Sequence, residues 1–226
     1  MTLIVLSLPT CKSTNSFAFD MINTNPALPV HIIDTPFQTA GRGRSGRSWH
    51  STPFQDFTFT CVVHRKEQIG WPVITATYLL TFFEEELSIS CSVKWPNDIL
   101  YNGKKLAGIL CEKPKDDVLL IGIGININSE NALPEAISLK QILSHPVAYV
   151  KLKRKLFLKL YQKFYEDPLL NQNEIELYKS RLVNLNSQKK IEGYLWQLIG
   201  IDSHGFGIME NPVLGRRKVL DWEISQ

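Results

Sequence analysis

The chain has no CxxC pair, no apolar run long enough to span a bilayer and almost no excess of charge of either sign. Each absence closes a class of function. Cys11, Cys61, Cys91 and Cys111 stand far apart with no neighbouring histidine, so neither a zinc site nor a redox pair is written in their spacing. Three of them sit inside strand-like runs, where a free thiol packs as a small hydrophobe. Reduced thiols predict a cytoplasmic protein. A membrane helix takes about 20 apolar residues, and the N-terminal TLIVLSL lacks that length, a basic flank and a small-residue cleavage site. The chain is therefore expected to start at Met1 as a mature protein that does not use a membrane. A net charge of +3, from 25 basic and 22 acidic residues, is too small for bulk attraction to nucleic acid, so any anion preference has to be local. No Walker A lysine, GxSxG, HExxH or acidic triad is present, and P-loop and hydrolase mechanisms lack their parts. With 44% hydrophobic and 21% charged residues over 226 positions, one large domain, or one with a small appendage, can bury its own core.

What the chain does have is QTAGRGRSGRSW, residues 38–49, between two strand-like segments. Arg42, Arg44 and Arg47 offer planar forks suited to phosphate or carboxylate, and Gly41, Gly43 and Gly46 let backbone N–H groups approach a ligand. The glycines formally spell GxGxxG. A dinucleotide fingerprint needs a helix after them, and HSTPFQDF has no helical period, so that reading fails. A solvated basic loop is the alternative from this segment alone.

The flanking pattern predicts short strands at 3–8, 30–37 and 56–64, with Ser13, Thr14 or Asn15 capping a helix between the first two. Apolar spacing from Trp71 to Leu87 predicts a helix whose aromatics are core. In SVKWPNDILYNGKKLAGIL, Asn102-Gly103 lies between two apolar runs as a type I′ turn should, which predicts a hairpin. The pleat puts Asp98 and Lys105 on one face as diagonal neighbours, roughly 7–8 Å apart. Pro96 predicts an edge or bulge just before Asn97. In VLLIGIGININ, isoleucines take one face while Gly122, Gly124, Asn126 and Asn128 take the other. That bare floor fits a flat ligand, or else a neighbouring helix. A helix with solvated lysines is expected over 146–165, a second, polar helix over 174–183, and a small β-rich domain after Asn186.

In order, STN, Gln38 before GRGRSGRSW, KWPNDI, KLAGIL and GIGIN resemble the motif set of biotin–protein ligases, biotin–[acetyl-CoA-carboxylase] ligases, over Ser13 to Asn126. The resemblance implies an α+β fold: a mixed β-sheet flanked by helices, class II synthetase-like, as a catalytic domain over 1–186, and a small SH3-like domain over 187–226. It implies the short catalytic class, without a DNA-binding winged helix, acting as a monomer or weak homodimer. Biotin's carboxylate would attack the α-phosphate of ATP to give biotinyl-5′-AMP, and a lysine of a biotin carboxyl carrier protein would take the biotinyl group. Ser13, Thr14, Asn15, Gln38, Gly41, Arg42, Gly43, Arg44, Lys105, Gly108, Gly122 and Gly124 would line biotin. Arg44, Arg47, Trp49, Asn97, Lys105 and Asn126 would hold ATP, with Trp49 as a lid on adenine. Lys105, Arg42, Arg44 and Asp98 would be catalytic, Lys105 bridging carboxylate and α-phosphate. Asp98 would either hold Mg²⁺ or assist the incoming amine. Trp222 before Glu223 replaces the glycine usual in the family's last strand. A lipoate or octanoate ligase shares the fold and the adenylate logic, and a non-catalytic anion or RNA module is the rival of another class.

Overall fold

The computed structural model describes residues 2–25, 29–65, 70–130, 133–166 and 169–220; the Trp222-Glu223 departure lies outside them. The chain forms β1 (Val5–Ser7), α1 (Thr14–Thr24), β2 (Ile32–Thr35), the two-residue strands β3 (Gly41–Arg42) and β4 (Ser48–Trp49), β5 (Phe57–His64) and α2 (Trp71–Leu87). Then come β6 (Ser92–Lys94), β7 (Asp98–Tyr101), β8 (Lys104–Lys115), β9 (Val118–Ile125), α3 (Leu139–Leu143), α4 (Tyr149–Tyr165) and α5 (Gln172–Ser180). Last are β10 (Gln188–Ile191), β11 (Tyr194–Ile201), β12 (Gly207–Asn211) and β13 (Gly215–Val219). The chain divides into two compact units, Met1–Glu67 with Gly103–Asp167, and Gln68–Asn102 with Pro168–Gln226.

In the first unit the strands run in the order β1-β2-β5-β9-β8, with β1 parallel to β2 and every other pair antiparallel. Strand alternation gives this sheet two unlike faces. Phe57, Phe59, Cys61, Ile121, Ile123 and Ile125 point one way, and α4 packs there through Phe157 on Phe59 (4.8 Å between ring centres) and Tyr149 on Phe57 (4.7 Å). Thr58, Thr60, Gly122 and Gly124 point the other way. Helix α1 lies on that side, its Ala18 and Ile22 packed with Ile33, Val62 and Leu120. Ser13 caps α1 from an extended backbone, its Oγ accepting from Ser16 N.

The lysines of α4 are not all solvated, as the sequence pattern had them. Lys153 reaches Asp34 at 2.6 Å on the aromatic side of the sheet, where Asp34 also accepts from Ser7 Oγ at 2.5 Å and its side chain is only 3% exposed. Taking up that charge leaves Asp34 with both oxygens satisfied, the condition for burying a carboxylate.

In the second unit α2 buries Trp71, Phe82 and Phe83 as expected, and β6 pairs with β7. Where the sequence suggests an edge or bulge before Asn97, Pro96 lies in a turn with a cis Trp95–Pro96 peptide between β7 and the edge strand β6, and Trp95 N donates to Asn184 Oδ1 at 2.8 Å. β10 to β13 form an antiparallel meander around Trp196, Leu198 and Met209. Gly207 is bare because the Trp95 ring lies against it. At the border of the two units Asn102 (φ 48°) and Gly103 (φ 78°) both take left-handed backbone, as a type I′ turn demands.

Candidate active site

The site starts from a backbone splice. Thr39 N donates to Cys11 O and Ala40 N to Lys12 O, each at 2.9 Å, so the residues entering α1 run beside the strand-like residues that deliver the Arg/Gly segment. This sets Gln38 against the first turn of α1. Thr14 N donates to Gln38 Oε1 at 2.7 Å, and the Thr14 hydroxyl lies 3.1 Å from the same oxygen.

From there a row of hydrogen bonds crosses the glycine face. Thr60 Oγ1, fully buried on β5, lies 2.6 Å from Asn15 Oδ1 and 2.8 Å from Thr14 Oγ1. Asn15 Nδ2 donates to Leu110 O at 3.2 Å and to Glu112 Oε2 at 2.8 Å. Glu112 then accepts from Arg42 Nη2 on both oxygens, at 2.9 and 2.7 Å. The row therefore reads Gln38, Thr14, Thr60, Asn15, Glu112, Arg42. Thr60 and Glu112 were not legible as site residues in the sequence. Asn15 lies so close over Gly122 that a Cβ there would run into its amide, which is why that position is glycine.

Above the next step of the sheet lies Trp49. A Cβ on Gly124 would collide with its indole, and one on Gly108, the cross-strand partner of Gly124, would press on both the indole and the Lys105 side chain. The group lying on the glycine floor at Gly124 and Gly108 is the Trp49 indole. The indole Nε1 is buried with no hydrogen-bond partner among the described residues. Lys105 Nζ stands 5.6 Å from the indole centre.

Lys105 and Asn126 are joined through backbone. Asn126 Nδ2 donates to Lys105 O and to Ile137 O, each at 3.2 Å, while Lys105 N donates to Glu135 O at 2.7 Å. Asn126 is buried, and its amide nitrogen is occupied in pinning the segment before α3 to the start of β8.

A further buried carboxylate, Asp56, escaped the sequence reading. Oδ2 accepts from Thr52 N at 2.8 Å, and Oδ1 accepts from Ile127 N at 3.0 Å and Ser129 Oγ at 2.7 Å. It ties the segment three residues beyond Trp49 to the residue after Asn126. Burial pushes its carboxyl above the usual range, and the hydrogen bonds from Thr52, Ser129 and Ile127 pull against that.

Within the Arg/Gly segment, Gly43 N donates to Arg47 O at 2.7 Å, closing a short turn in which Ser45 (φ 53°) and Gly46 (φ 71°) are left-handed. Arg47 is exposed, its Nε on Arg44 O at 3.3 Å. Burial pushes the Cys111 thiol up, and the Arg44 charge lowers it only in part. Asn97 and Asp98 belong to the second unit, where Asn97 Nδ2 donates to Asp98 Oδ1 at 3.1 Å. Among the described residues no cluster of three or more His, Cys, Asp or Glu side chains is shaped for a metal ion, and no helix is long and apolar enough to cross a membrane.

A polar row, an Arg/Gly ribbon, a glycine floor and a lysine at its edge are brought together on one face of the sheet. The fold is α+β, a mixed sheet with helices against it. The chain belongs to the biotin/lipoate A/B protein ligase family, whose model matches residues 7–128. Its relatives include the bifunctional ligase/repressor BirA of Bacillus subtilis, 34% identical over 134 residues, which are 55% of this chain and 41% of that protein. A biotin–[acetyl-CoA-carboxylase] ligase of Mycobacterium tuberculosis is 28% identical over 171 residues, 71% of this chain and 64% of that one. The chain thus spans about two fifths of the bifunctional relatives it matches. Among solved structures, the biotin protein ligase of Aquifex aeolicus in complex with biotin and ATP superposes with a TM-score of 0.75 at 23% identity, over 96% of each chain. The biotin acetyl coenzyme A carboxylase synthetase of Helicobacter pylori superposes with 0.66 at 19% identity, over 96% of this chain and all of that one. These likenesses establish the fold.

Proposed function

We propose that this protein joins biotin to ATP as biotinyl-5′-AMP with release of pyrophosphate, and then passes the biotinyl group to a lysine of a biotin carboxyl carrier protein. The observation that carries the reading is the row of buried Thr14, Thr60 and Asn15 with half-buried Gln38 beside a glycine floor. A ureido ring, with two N–H donors and one carbonyl, matches such a row. The aliphatic tail and dithiolane of lipoate, or the bare chain of octanoate, would place apolar surface against these polar groups and satisfy none of their remaining hydrogen-bonding capacity. That favours biotin over the sister ligases. Relatives that are biotin ligases by name, and a solved relative holding biotin and ATP, support the same choice.

In the first step a carboxylate oxygen bonds to the α-phosphorus as the bond to pyrophosphate breaks. Two anions must be brought together, so the protein's work is positioning and charge neutralisation. Lys105 bridges the two anions, Arg44 and Arg47 bind phosphate, and the Trp49 indole moves off Gly124 to cover the base, so that the bicyclic ring takes its place on the sheet beside Asn15. In the second step the lysine amine attacks the acyl carbon and AMP leaves. The Arg/Gly segment, closed over the mixed anhydride, keeps water out until then. Mg²⁺ would enter with ATP and shield its phosphates. Asp98, a single carboxylate beside an amide, fits an ion held mainly by phosphate and water.

Pyrophosphate exchange into ATP with biotin, lipoate or octanoate as the only acid tests the reading. Exchange is expected with biotin alone. Lys105→Ala is expected to lower it several hundredfold, on the order of 3–4 kcal/mol of transition-state stabilisation. Near-normal exchange by that variant would remove Lys105 from the mechanism, and exchange with lipoate instead would move the assignment.

A further inference from the structure

The charge on Arg42 is already answered inside the protein. Its Nη2 meets both oxygens of Glu112, and Glu112 Oε2 also takes the Nδ2 hydrogen of Asn15. Glu112 therefore joins three elements: the ribbon strand β3, the floor strand β8 and the first turn of α1. Asn15 is 2% exposed, so the carboxylate is anchored at the buried end of the polar row rather than waving in solvent.

A carboxylate in that position also sets the polarity of the row. Only the amide nitrogen of Asn15 can face Glu112 and the Leu110 carbonyl, so its oxygen must face Thr60. Thr60 has one proton and gives it to that oxygen at 2.6 Å; the 2.8 Å contact with Thr14 is then made by the Thr14 proton. Gln38 Oε1 is held by Thr14 N–H, which turns the Gln38 amide nitrogen toward the ribbon, beside Gly41. An Asn15 amide turned the other way would reverse the donors at the Thr60 and Thr14 hydroxyls, while Gln38 Oε1 would still be held by the Thr14 backbone N–H. Neutral acceptors could not hold it as firmly, because hydrogen bonds to an ionised acceptor are roughly twice as strong as neutral ones.

We propose that Glu112 is a positioning residue for the polar ring of the substrate, and that Arg42 is its strut rather than a ligand of the reacting anions. Arg42 carries the ribbon down onto Glu112, Glu112 together with the Leu110 carbonyl fixes which way Asn15 presents its amide, and the row passes that direction on to the Thr60 and Thr14 hydroxyls. Ring recognition and ribbon closure are in this way one device. The proposal rests on the ligase reading for its substrate, but not for its geometry.

The test is a double-mutant cycle of Arg42→Ala and Glu112→Ala, with Glu112→Gln as the conservative variant, checked by two readouts. The first is the rate of tryptic cleavage at the ribbon arginines without any ligand, in the Glu112 variants against the parent chain. The second is the KM for biotin in pyrophosphate exchange. Each alanine variant is expected to raise the biotin KM about tenfold with little change in the KM for ATP, and the double variant to be no worse than the poorer single one. Glu112→Gln keeps an acceptor for Asn15 and should recover most of the loss while still loosening the ribbon to trypsin. An Arg42→Ala variant that raises the KM for ATP, with Glu112→Ala silent and the two effects additive, would make Arg42 an anion ligand and overturn the proposal. Unchanged tryptic cleavage in both Glu112 variants would overturn it as well. If no acid supports exchange but the Glu112 variants are cut faster, the ligase reading fails and the strut stands.

Discussion

The two faces of the first unit's sheet are built from the same strands, yet they obey opposite rules. On the α4 face, Phe57, Phe59 and Ile123 are filled with side chains to within 3% exposure. On the α1 face, Gly122, Gly124 and Gly108 have given up their side chains, and Thr60 and Asn15 spend their polar atoms on each other. A core face maximises buried apolar area. A site face gives up area so that another flat group, here the Trp49 indole, can lie against backbone. Glycine in a strand interior weakens it, so around Gly122 and Gly124 the sheet is stabilised from the α4 side, while α1 adds its own apolar cluster further along at Ile33, Val62 and Leu120.

The sharpest way to break that contrast is to truncate one residue on each face. Phe59→Ala, on the packed side, removes a ring in contact with Phe157. It is expected to cost about 3–5 kcal/mol of folding stability, read as a large drop in denaturation midpoint. The molecules that remain folded should bind and exchange as before. Gly124→Ala adds a methyl where the indole lies, so the ring or the floor must shift. The expected outcome is a loss of biotin-dependent exchange of up to about a hundredfold, about 2.7 kcal/mol, with a denaturation midpoint close to the parent. Were Gly124→Ala to lose mainly stability and Phe59→Ala mainly activity, the assignment of the two faces would be inverted.

Sequence reading caught the face that is written locally and missed what arrives from afar. The alternation of Gly122 and Gly124 with isoleucine is local, and so is the Asn102-Gly103 turn; both are present as expected. Ser138 and Gln141 form a capping box at α3, a signal in the sequence that went unread. Thr60 in the polar row, Glu112 under Arg42 and Asp56 behind Trp49 carry no local mark. Their partners are 45, 70 and 71 residues away, so only the register of β5, β8 and β9 brings them in. The placement of Trp49 on the glycine floor was hidden for the same reason: a loop residue has no period that says which way it folds back. At Pro96 the sequence suggests an edge or a bulge; it is a turn between β6 and β7, and its Asn184 contact comes from a distant part of the chain.

The mildest test of the same contrast uses pH. On the packed side His31 stands edge-on to Tyr161 and Tyr165, each 4.9 Å away, with its Nδ1 accepting from Ile4 N at 3.1 Å. Burial lowers its pKa below 6.5, and the charge of His64 adds to the effect. A lowered pKa means that the unfolded chain takes up a proton which the folded one still refuses. As pH falls through about 6.5 the unfolded state therefore gains, and stability is lost. His31→Asn keeps an acceptor for Ile4 N but cannot titrate. Between about pH 7 and pH 5 its denaturation midpoint should fall less than that of the parent, by on the order of 1–2 °C. The Thr60 and Asn15 row on the other face holds no imidazole, so its biotin affinity should not follow the same curve. A midpoint that falls equally in both proteins would mean that His31 is charged as easily folded as unfolded, and that the ring packing around it is looser than the α4 face requires.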